Sequence, residues 1–98
     1  MTQSKRDFHL TESARAVLAE WLGGRPGEFY LFEFETDPHY WTQLLRHLMQ
    51  VCDANLGYDK EFEKYVIFGE AKGVGLTIQE ALCRAVLQRL DFQGQIAL

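Results

Sequence analysis

Apolar residues recur at helical spacing in three stretches of this chain and cluster or alternate in others, and that pattern predicts most of its elements. In the first stretch Ala14, Val17, Leu18, Trp21 and Leu22 fall on one stripe of a helix over residues 12–22. Thr11 precedes it as the N-cap, and Glu12 lies in the first turn, where the helix dipole favours an acid. Gly23-Gly24 and the turn Arg25-Pro26-Gly27 end it. Residues 28–35 alternate instead, which predicts a strand. Tyr30, Phe32 and Phe34 share a buried face; Phe29, Leu31, Glu33 and Glu35 share the other, covered over its first half by the first helix.

Asp37-Pro38 opens the second helix, with Asp at the N-cap and Pro at the first helical position. Trp41, Leu44, Leu45, Leu48, Met49 and Cys52 follow its apolar stripe, and Thr42, Gln43, Arg46 and Gln50 take the opposite side, so the helix spans residues 38–52. Leu56-Gly57-Tyr58 and Tyr65-Val66-Ile67-Phe68 predict a hairpin that turns at Asp59-Lys60-Glu61. Residues 69–75 read as a loop. Thr77 then caps a third helix over residues 78–90, with Glu80 completing a capping box. Ile78, Ala81, Leu82, Ala85 and Val86 form its core stripe, and Cys83, Leu87 and Leu90 widen the apolar arc past half the circumference. Such a helix touches a sheet and, in addition, a neighbouring helix or another subunit.

The predicted fold is α+β, in the order α-β-α-β-β-α, with about three strands in a small mixed sheet covered by helices in alpha-beta-alpha layers. A right-handed strand–helix–strand crossover makes the first two strands parallel where they share a sheet. The 98 residues make a single domain, with residues 1–10 and 92–98 as looser tails; Phe92, Ile96 and Leu98 give the second tail the means to fold back.

Composition narrows the function. A hydrophobic content of 47%, with two Trp, four Tyr and seven Phe, excludes disorder and low complexity. No apolar run approaches the roughly 20 residues of a membrane span, and the first seven residues lack a signal peptide's apolar stretch. Two cysteines make no disulfide scaffold, so the cytoplasm is the expected compartment. The net charge of −4 is uneven: residues 28–70 hold nine acids against three bases. That imbalance argues against binding a phosphate backbone directly and suits docking onto a basic surface of another protein.

Phe34-Glu35-Thr36-Asp37 opening an amphipathic helix, a hairpin, and a closing helix Thr77-Ile78-Gln79-Glu80-Ala81-Leu82-Cys83-Arg84-Ala85-Val86-Leu87 together resemble the phage ABA sandwich domain family over residues 30–90. The resemblance implies a phage or mobile-element origin, in a bacterial host, and an alpha–beta–alpha layering. It supplies no catalytic residues. The first helix with Trp21 and the Gly-Arg-Pro-Gly turn depart from the family's pattern and leave its outer layer undetermined.

No candidate chemistry outweighs its structural alternative. His39, His47 and Cys52 lie on different sides of the second helix, so no metal or cofactor is expected. Cys83 sits mid-helix, where no helix N-terminus activates it as a nucleophile. Lys72-Gly73-Val74-Gly75-Leu76-Thr77 leads into a helix N-terminus without a P-loop's spacing. Glu33 and Glu35 have no identifiable pocket that would make them an acid–base pair. Tyr58, Phe62 and Tyr65 offer rings for stacking bases, but acids surround them.

Two functions follow. The first is a non-enzymatic phage or mobile-element protein that binds a host protein, in its sharpest form an anti-CRISPR-like inhibitor of a nucleic-acid-binding defence protein. Its carboxylates Glu33, Glu35, Asp59, Glu61 and Glu63 would engage the partner's basic groove. The alternative is a self-assembling structural or accessory protein, with Cys83, Leu87 and Phe92 in the contact between copies, so that the chain is a monomer or a homodimer.

Overall fold

Helix caps set the element boundaries. A computed structural model describes residues 9–24 and 33–92, and within them lie α1 (Glu12–Trp21), α2 (Pro38–Val51), β1 (Ala54–Asp59), β2 (Lys64–Gly69), β3 (Gly73–Gly75) and α3 (Ile78–Arg89). Thr11 Oγ1 accepts the Ala14 N–H at the start of α1, and Gly23 ends the helix with φ 91°, a conformation that glycine adopts without strain. At α2 the Asp37 carboxylate accepts the His39 N–H at 2.9 Å, with Pro38 in the first turn. At α3 Thr77 Oγ1 accepts the Glu80 N–H at 3.1 Å, and Glu80 Oε1 accepts in return from Leu76, one residue before the cap. The three helices thus lie where the apolar periodicity predicts them.

The fold class is α+β, with three helices and a three-stranded antiparallel sheet. β2 is central, paired with β1 from Ala54 opposite Gly69 to Asp59 opposite Lys64, and with β3 from Tyr65 opposite Gly75 to Ile67 opposite Gly73. The third strand comes from the segment expected to be a loop. The strand expected over residues 28–35, which would have made the sheet mixed, lies outside the described residues except at its end. There Glu33 to Asp37 make a turn, in which the Thr36 and Asp37 N–H groups both donate to the Glu33 carbonyl. Phe34, expected on a buried strand face, is fully buried but within this turn, and it meets Tyr40 edge-to-face.

β3 is pressed against α3. A Cβ on Gly73 would stand 2.3 Å from the Ala81 carbonyl oxygen and 2.5 Å from the Ala85 nitrogen, and one on Gly75 would stand 2.6 Å from Glu80 Cβ. Only glycine permits that approach. α3 is the central helix: Ala81, Leu82, Cys83, Ala85, Val86 and Leu87 are all buried. It contacts β2 and β3 on one side and both α1 and α2 elsewhere, so its wide apolar arc is satisfied within the chain. Leu18 of α1, Leu44 and Leu48 of α2, Ile67 of β2 and Leu82 share one core cluster with it. The sheet's other face bears Val66, Phe68 and Val74; Phe68 and Val74 are each about half exposed, and no described helix covers that face. No helix among the described residues is long and apolar enough to cross a membrane.

Candidate functional site

The β1–β2 connection carries two exposed acids, Glu61 and Glu63, flanking one exposed aromatic residue, Phe62, beside the exposed Lys60. One carboxylate fixes it: Asp59 Oδ1 accepts the backbone N–H of Glu61 at 3.0 Å and that of Phe62 at 3.2 Å, an Asx turn. Glu63 closes the turn with φ 55°, in the left-handed region that non-glycine residues seldom occupy. This geometry leaves Phe62 64% exposed, with Glu61 and Glu63 exposed on either side of it.

Behind the tip, Tyr58, Phe62, Glu63, Tyr65 and Leu76 line an open hollow of about 540 Å³. Tyr58 and Tyr65 are directly opposed in the ladder, with ring centroids 4.9 Å apart and planes tilted by 59°. Strand alternation sends Lys64 to the opposite face of the sheet from Tyr65. Lys64 lines, with Val74 of the same face, a second cavity of about 630 Å³ that reaches past β3 to Lys72, Arg84, Leu87 and Phe92. Arg84 is paired there with Glu80 at 3.0 Å. Glu63 lines the aromatic hollow and Lys64 the second cavity.

The five acids expected to act together do not form one set. Asp59, Glu61 and Glu63 share the hairpin turn. Glu33 is exposed beside the start of α2, with its carboxylate 3.4 Å from the Thr36 hydroxyl. Glu35 is withdrawn from any partner surface: its side chain is only 6% exposed, its two oxygens take both terminal nitrogens of Arg15, and it accepts the Leu10 N–H at 2.8 Å. It is a structural clamp, because a carboxylate so enclosed must be met by a cation and hydrogen bonds. The expected self-association residues fare similarly. Cys83 and Leu87 are buried in the core, and Phe92 is half-buried against it, so neither Cys83 nor Leu87 is presented to a second copy.

The remaining candidates resolve into packing. Burial pushes the Cys83 thiol far above its ordinary range, with the Glu35 charge adding to the effect, which leaves it protonated and weakly nucleophilic. Cys52 donates its S–H toward the Leu48 carbonyl, and both cysteines are free thiols. His47 meets Trp21 edge-to-face at 4.4 Å, and His39 Nε2 lies 3.2 Å from the Gln43 amide nitrogen. Among the described residues no cluster of three His, Cys, Asp or Glu side chains is arranged to hold a metal ion. The N-terminus of α3 spends its Leu76 and Glu80 N–H groups on Glu80 and Thr77, so the segment read as a possible anion cradle is β3 followed by a self-capped helix. What the sequence reading missed is the hollow itself. Its signal was the spacing of Tyr58, Phe62 and Tyr65 about the hairpin turn.

Comparison with the models of known protein families, with curated proteins and with solved structures finds no match to this chain.

Proposed function

We propose that this protein works by binding another protein, and that the β1–β2 hairpin tip makes the contact. The observation that carries this reading is Phe62, held 64% exposed by a turn that hydrogen bonds to Asp59 fix in place, between two exposed carboxylates. A preorganised aromatic residue ringed by charge is the composition of a binding hot spot, since little conformational entropy is lost on docking. The carboxylates of Glu61 and Glu63 favour a partner surface bearing Lys or Arg.

In its sharper form the reading is of a phage or mobile-element protein that blocks a nucleic-acid-binding defence protein of its bacterial host by occupying a basic groove. The resemblance of residues 30–90 to the phage ABA sandwich domain family and the acidic hairpin support this form. The contact surface contracts from five acids to the hairpin, because Glu35 is engaged with Arg15.

Affinity capture from bacterial extract with the wild-type chain, Glu61→Lys and Glu63→Lys tests the reading. It predicts a partner held by wild type, released at high salt, and retained poorly by both variants. A partner retained equally by all three proteins at every salt concentration contradicts it.

A further inference from the structure

Building on the docking reading above, we propose that the hollow behind the hairpin tip is a receptor for a single arginine side chain projecting from the partner's basic surface. Three aromatic rings, from Tyr58, Phe62 and Tyr65, and one carboxylate, from Glu63, line it, and Leu76 supplies the fifth wall. No cationic side chain is among those lining residues. A ring attracts a cation set over its face, and Tyr58 and Tyr65, packed against each other at 4.9 Å, both line this one volume.

An anion finds little at this place. The Leu76 N–H is already taken by Glu80 Oε1 at 3.1 Å, and Glu63 would repel a negative charge. Among cations, guanidinium fits better than ammonium. It is planar and weakly hydrated, it stacks on rings, and its fork of N–H donors matches a carboxylate at one edge. The hollow, at about 540 Å³ and open to solvent, admits such a side chain end-on.

The test uses the full chain and needs no partner. Two-dimensional amide NMR is recorded while N-acetyl-arginine amide is added at constant ionic strength. N-acetyl-citrulline amide serves as the uncharged isostere, and N-acetyl-lysine amide and tetramethylammonium as competing cations. The arginine probe is expected to produce saturable shifts confined to residues 57–66 and 75–77, with an affinity at least fivefold above that for citrulline and above that for either competing cation. Phe62→Ala and Glu63→Gln, both at exposed positions, should each weaken that binding about two- to fivefold, the range of cation–π and carboxylate contacts in water.

Citrulline binding as tightly as arginine overturns the proposal. Preferential binding of tetramethylammonium or the lysine probe overturns the assignment to arginine, and unchanged affinity in both variants overturns the placement in the hollow. The outcome is separable from that of the docking reading, because Glu61 does not line the hollow. Loss of partner capture by Glu61→Lys without arginine-probe binding sinks only the receptor. Probe binding with capture indifferent to Glu61→Lys, to Glu63→Lys and to salt upholds the arginine site and sinks the docking reading.

Discussion

Glu35 and Arg15, 20 residues apart in the chain, form a two-pronged ion pair that joins α1 to the turn before α2. The same carboxylate accepts the Leu10 N–H, so a single side chain ties together the approach to α1, the helix itself and the turn at residues 33–37. An enclosed pair of this kind is destabilising when one partner is removed, because the survivor keeps its desolvated charge.

Replacing either member alone is therefore expected to lower stability. Arg15→Ala and Glu35→Ala should each lose about 3 kcal/mol in denaturant unfolding. The double variant should lose less than the sum of the two, the mark of direct coupling. Equal and additive small effects would mean that the pair is solvated.

The approach of β3 to α3 yields a second expectation. Gly73→Ala places a methyl group 2.3 Å from the Ala81 carbonyl oxygen, and backbone cannot move aside as a side-chain end can. The variant should be destabilised by about 3 kcal/mol, with β3 losing its amide protection before the β1–β2 ladder does. Thermal melts and hydrogen exchange read both effects.

A third expectation concerns Cys83. Its thiol ordinarily ionises near 9.0, and burial in the folded chain raises that value, so the unfolded chain releases the proton first. The thiol's contribution is fully present below pH 9.0 and declines as pH rises past it, at up to about 1.4 kcal/mol per pH unit. Cys83→Ala should flatten the alkaline fall in unfolding free energy. At neutral pH a thiol reagent should label the half-buried Cys52 readily and Cys83 only as fast as the protein unfolds. Rapid labelling of Cys83 in the folded state would contradict its burial.

The hairpin variants provide the complementary case. Glu61 and Phe62 side chains are exposed, so Glu61→Lys and Phe62→Ala are expected to shift stability by no more than about 0.5 kcal/mol while impairing binding. A large loss of stability in either would assign the tip to the fold.

Much of this structure could be read from the residue pattern, and the exceptions have physical causes. Thr77 and Glu80 announced the start of α3 because capping is a local interaction, and Asp37-Pro38 did the same for α2. Periodicity also exposed the excess of apolar surface on α3, but not what meets it; α1 and α2 do so from distant positions. β3 was hidden because Gly73-Val74-Gly75 has no strand composition. The glycines answer to the helix beneath, a tertiary demand that local pattern does not carry. Glu35 was grouped with Glu33 by spacing alone, although its partner Arg15 lies in another element. The hairpin acids and the Tyr58, Phe62 and Tyr65 aromatics were both visible in the sequence. Their convergence on one hollow depends on the ladder register and on Leu76, which only the fold brings together.

The most direct measurement is the dissociation constant between the captured partner and three proteins, wild type, Glu61→Lys and Phe62→Ala, at low and at high sodium chloride. Contact through an acidic, aromatic-tipped hairpin predicts at least tenfold weaker binding by each variant at low salt, and a wild-type affinity that falls steeply as salt rises. Identical constants for the three proteins, with no dependence on salt, would contradict it.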